Sequence, residues 1–73
     1  MSNMTNFIEI IGPYDIVAKK HKNVIDHHSY DDENKAREAF SQTVASGTAD
    51  EIHLFRFIRN GNEGVQRLAY WEH

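Results

Sequence analysis

Ala36, Ala39, Phe40, Thr43 and Val44 recur at the i, i+3, i+4, i+7, i+8 spacing that gathers side chains on one side of an α-helix. Opposite them fall Asn34, Lys35, Glu38, Ser41, Gln42 and Ala45, polar or small as a solvated face requires. The pattern predicts a helix over residues 31–47 with its apolar stripe turned to a core. Ser29, Asp31 or Asp32 can cap its start, each having a short side-chain oxygen able to accept an orphan amide proton. Gly47 suits the left-handed residue that closes a helix.

Elsewhere the pattern is that of strands. Residues 7–11, rich in β-branched and aromatic side chains, predict a short first strand that Gly12 and Pro13 should stop, or else an extended arm over the sheet. Residues 14–20 and 24–29 flank a polar tip of Lys19, Lys20, His21, Lys22 and Asn23, a hairpin leading into the helix. After the helix, 51–59 is the most strand-like run of the chain. Asn60, Gly61, Asn62, Glu63 and Gly64 then form a hairpin loop, and 65–71 returns. A four-residue loop over 60–63 would put Ile52, Leu54 and Ile58 on one face with Val65, Ala69 and Trp71, at the cost of setting Arg56 against Arg67. A five-residue loop would exchange the faces of the return strand, and the sequence leaves both registers open.

The element order predicts an α+β fold, an antiparallel sheet of four to five strands with one helix packed on one face, (β)ββαββ. It occupies residues 1–73 as one domain, with 1–6 expected to fray. One strand raises a question. His53, Phe55 and Phe57 alternate onto the face away from Ile52 and Leu54, so residues 51–59 are apolar on both sides. Either the N-terminal segment covers Phe55 and Phe57, or a second molecule does.

Composition narrows the function classes. The chain has no cysteine, which excludes disulfides and thiolate metal sites and makes a reducing cytoplasm the simpler setting. No apolar run approaches the ~20 residues that span a bilayer, and the N-terminus lacks the pattern of a secretory signal, so no membrane partner is expected. The net charge of −3 is uneven, the acid excess lying on the helix and its flanks. That balance opposes general affinity for phosphate backbones while leaving room for a local basic patch.

Four constellations merit weighing. His21, His27 and His28 lie near one hairpin, but adjacent strand residues point to opposite faces, so a metal would need further help from Asp26 or His53. Solvated histidines are the simpler reading, and no cofactor is expected. Asp31, Asp32, Glu33 and Glu38 could form an acidic docking patch. The competing account is structural, because acids in a first helical turn oppose the positive end of the helix dipole. Lys19, Lys20 and Lys22, with Arg56, Arg59 and Arg67 and nearby aromatics, offer a nucleic-acid-binding alternative in which bases stack on an exposed sheet face. Finally, His53, Phe55, Phe57 and Tyr70 supply an apolar face for a protein partner or a homodimer. No nucleophile with a partnered base, phosphate loop or telling carboxylate pair is present, so catalysis is not expected.

The layout as a whole carries a resemblance. A hairpin ending in Ser29, Tyr30, Asp31 and Asp32, the helix with Ala36, Ala39, Phe40, Val44 and Gly47, and the strand with Ile52, His53, Leu54, Phe55 and Phe57 look like the small accessory proteins of bacteriophages and other mobile elements. The resemblance covers residues 14–73 and implies a cytoplasmic protein that binds and blocks a host enzyme or defence complex, anti-CRISPR proteins being among such inhibitors. It assigns no role to any residue.

Overall fold

A computed structural model describes residues 9–73, apart from the side chain of Asn60. The expected fraying of residues 1–6, and residues 7 and 8 of the expected first strand, lie outside the described residues. The chain forms β1 (Glu9–Lys20), β2 (Asn23–Tyr30), α1 (Glu33–Ser46), β3 (Glu51–Asn60) and β4 (Asn62–Glu72). The four strands make one antiparallel sheet in the order β2-β1-β3-β4, with α1 against one face, an α+β fold as the pattern predicts.

Helix α1 obeys its sequence signals. The Asp32 carboxylate accepts from the Asn34 amide at 2.8 Å, and Gly47 closes the helix at φ +70°, its own N–H donating to the Val44 carbonyl. An L-residue at that φ brings its Cβ against the carbonyl, so glycine suits the position. Ala36 is fully buried, and Ala39, Phe40 and Val44 pack around it. Thr43 satisfies its hydroxyl on the Ala39 carbonyl at 2.8 Å. Together with Ile16, Ala18, Ala49, Ile52 and Leu54 these residues make the core. The core lies over the two inner strands, because α1 crosses from edge strand β2 to inner strand β3 across β1.

The structure corrects the start of the chain. Gly12 and Pro13 do not end a strand, since β1 runs through them. Between Ile10 and Tyr14 the β1 register against β3 shifts: four steps along β1 answer two along β3, from Ile58 to Arg56. Pro13 therefore sits in an irregularity where its missing N–H breaks no ladder bond, the placement a strand tolerates for proline. Pairing with β2 begins only at Tyr14. The expected separate first strand thus merges, in its described part, into β1.

The hairpins differ from expectation too. At the β1–β2 tip, His21 and Lys22 both take positive φ, 53° and 68°, making a tight turn without the glycine that normally marks one. Asp50 braces it, its carboxylate accepting from the His21 amide at 3.1 Å. The Asp50 backbone donates to the Lys19 carbonyl at 3.0 Å and accepts from the His73 amide at 2.9 Å, so one residue ties three segments together. The β3–β4 turn is tighter than either loop considered, with Asn60 paired to Asn62 around Gly61 at φ +80°. A β-bulge at Leu68 then shifts the register between Leu54 and Phe55. Below it Ile52 meets Trp71 and Leu54 meets Ala69, as the four-residue loop implied. Above it Arg56 faces Gln66 rather than Arg67, and Val65 moves to the side of Phe57. The like-charge conflict disappears, and Arg56 Nε donates to Gln66 Oε1 at 2.7 Å.

No helix among the described residues is long and apolar enough to cross a membrane.

Candidate docking face

An α-helix of 14 residues is about 21 Å long, whereas an 11-residue strand reaches about 36 Å. One helix can cover only one face of this sheet. Paired residues in an antiparallel ladder share a face, so the strand registers define the other face row by row. Across β2, β1, β3 and β4 the first row reads Val24, Lys19, Glu51, Glu72. The second reads His27, Val17, His53, Tyr70, and the third Ser29, Asp15, Phe55, Arg67. Beyond them Phe57 pairs with Val65.

The centre of this face is a linked set of rings. His53 stacks parallel on Phe55 with centroids 5.5 Å apart and tilts against Tyr70 at 4.9 Å. The Arg67 guanidinium lies over the Tyr70 ring at 4.6 Å, a cation–π contact. Such contacts fix ring orientation without removing the rings from water. Tyr70 remains 42 % exposed and Val65 55 %, and Phe55 and Phe57 are half-buried. The predicted set of His53, Phe55, Phe57 and Tyr70 is therefore brought onto one surface that no helix or strand among the described residues covers.

Polar groups on the face are oriented by their neighbours. The Glu51 carboxylate, which can only accept, contacts His53 Nε2 and so places the ring proton there. His53 Nδ1 is buried and finds no hydrogen-bond partner among the described residues. Asp15 accepts from Ser29 Oγ at 2.7 Å and contacts His27 Nε2 at 3.1 Å. A hydrogen bond to Glu72, aided by partial desolvation and that carboxylate's charge, raises the Tyr70 phenol above its ordinary value.

The other candidate residues are dispersed. His28 points opposite to His27 and contacts Asp26. Among the described residues no three histidine, aspartate or glutamate side chains are grouped as metal ligands. In the acidic set, Asp32 caps α1 and Glu33 bonds Arg37 Nε at 2.8 Å, both acting within the helix. Asp31 instead lines a cleft of about 440 Å3 with residues 10–14, and Glu38 stands exposed on the outer side of α1. The basic set divides among separate regions. Lys20 and Lys22 flank the β1–β2 turn, whereas Arg59 lies at the opposite end of the sheet, against Glu9 and Glu63. Arg56 lies on the helix side, and Lys19 and Arg67 on the uncovered side. A second cleft, of about 260 Å3, is lined by His21, Lys22, Asp50, Glu51, Glu72 and His73.

The sequence signalled the aromatics of this face but not Asp15, Val17, Glu51 and Glu72. Strand alternation carried a signal for Val17, which lies between Ile16 and Ala18 and so must point away from the core. Comparison of the chain with protein families, with characterised proteins and with solved structures finds no match.

Proposed function

We propose that this protein is a non-enzymatic protein-binding module that docks through the sheet face opposite α1. In keeping with its resemblance to phage and mobile-element accessory proteins, it would occupy a host enzyme or defence complex. The observation behind this reading is the partly exposed ring cluster of His53, Phe55 and Tyr70, continued by Phe57 and Val65, on inner strand β3 and its neighbour. Apolar side chains on an inner strand left half in water favour a partner that removes them from it, at roughly 25 cal/mol per Å2. Arg67 over Tyr70 also favours a nucleic-acid reading, since arginine and stacked rings on a sheet can hold bases. The separation of Lys20 and Lys22 from Arg59 weighs against it.

The test is capture of host proteins on immobilised wild-type protein and on the Phe55→Ser variant. We expect a partner retained by the first and lost from the second. Identical capture by both, or salt-sensitive retention of oligonucleotides instead, would remove the reading.

A further inference from the structure

We propose that, when no other partner is present, the uncovered face is occupied by a second copy of the same chain, packed sheet against sheet. The proposal rests on the docking-face reading and names its first occupant. Its basis is the way charge is laid out on that face. On the β1 side Lys19 lies in the first row and Asp15 in the third; on the β3–β4 side Glu51 and Glu72 lie in the first row and Arg67 in the third. Within these three rows positive charges thus occupy one diagonal and negative charges the other, around a nearly uncharged middle row of His27, Val17, His53 and Tyr70. Glu9, Arg59 and Glu63, at the far end of the same face beyond Phe57, pair with one another.

A diagonal pattern of this kind matches a copy of itself. A face-to-face pair is related by a two-fold axis lying in the plane of the interface. An axis along the strands exchanges left with right and brings Lys19 over the partner's Glu51, with Arg67 next to the partner's Asp15. An axis across the strands exchanges first row with third and brings Lys19 over the partner's Asp15, and Glu72 over the partner's Arg67. Either operation turns each quadrant onto the opposite sign. Both keep the strands of the two sheets nearly aligned, as twisted sheets prefer when they stack about 10 Å apart. The rings of the middle row and Phe55 then supply the apolar centre, with the charges outside it as rim.

The area sets the affinity class. Three rows of four residues and the Phe57–Val65 pair, spaced about 4.8 Å across and about 6.8 Å along the strands, cover roughly 450 Å2. A pair thus buries on the order of 900 Å2 about an axis along the strands and roughly 800 Å2 about an axis across them, which leaves Phe57 and Val65 outside; both fall in the weak class of interfaces. A weak, salt-sensitive dimer in the micromolar range follows.

Sedimentation velocity over a concentration series tests this on the unaltered chain at low and high salt. We expect a concentration-dependent shift from the 8.5 kDa monomer toward a species of twice that mass, weakened at high salt. Lys19→Glu sets acid against acid under both axes and should raise the dissociation constant about tenfold or more. Adding Glu51→Lys to that variant should restore association for an axis along the strands, and adding Asp15→Lys should do so for an axis across them. Circular dichroism checks that each variant is folded, and the salt series stands without any variant. A monomer at every concentration, or a dimer indifferent to both salt and Lys19→Glu, overturns the proposal. A monomer that still captures a host protein through Phe55 overturns the second copy while leaving the docking-face reading intact.

Discussion

The two faces of the sheet are built from the same strands and yet differ in what finishes them. On one, Ile16, Ala18, Ile52 and Leu54 lie beneath α1, and Ile52 and Leu54 lose all contact with water. On the other, Val17, His53, Phe55 and Phe57 alternate with them residue by residue and stay half-buried. The centre of the covered face carries small and aliphatic side chains that a helix at close distance can seal, with the rings of Tyr14, Tyr30 and Trp71 packed around them. The uncovered face carries rings and charges that satisfy one another sideways, through stacking, a cation–π contact and the Asp15, Ser29 and His27 bonds. The closed part of the core belongs to the first face, and the partly exposed rings belong to the second.

Neighbouring residues on β3 give the sharpest way to break that contrast. Leu54→Ala should cost about 2–5 kcal/mol in urea unfolding, since it empties a fully enclosed site. Phe55→Ser, one position on, should cost less, roughly 1–2 kcal/mol, while abolishing association. Equal losses for the two would mean that the second face is core and not a docking surface. A smaller effect tests the cover itself. Asp32→Ala removes the cap on α1 and should lower stability by about 1 kcal/mol with association unchanged.

The smallest expected effect lies on the uncovered face and is read by titration. Tyr70 should ionise above its ordinary value of 10.0, followed by the ultraviolet absorbance of tyrosinate, and Glu72→Gln should bring it back toward that value. A phenol raised in the folded state binds its proton longer there than in the unfolded chain. Its contribution is thus fully present below the unfolded value and is lost as pH rises through the folded one. No change in the Glu72→Gln titration would separate Tyr70 from its carboxylate neighbour.

Much of this was legible in the chain. The i, i+3, i+4 stripe, the Asp32 cap and the Gly47 terminus identify α1, and alternation in β3 assigns Phe55 and Phe57 to the face away from Leu54. Gly12 and Pro13 misled, because their intrinsic preferences break a strand. Pairing of β1 with β3 on both sides of them, with the extra residues placed where no ladder bond is needed, overrides those preferences. The His21–Lys22 turn carried no glycine signal, since its bracing comes from Asp50, far along the chain.

The sequence by itself determined the helix, its ends and the division of β3 into an inner and an outer set, because periodicity and capping act within a few residues. Only the tertiary structure decided which outer residues meet. The bulge at Leu68 sets Arg67 beside Phe55 and over Tyr70, and the β1–β3 register sets Asp15 and Lys19 alongside them. Register depends on cross-strand partners distant in sequence and on single inserted residues, so the charge pattern of the uncovered face exists only once the sheet has formed.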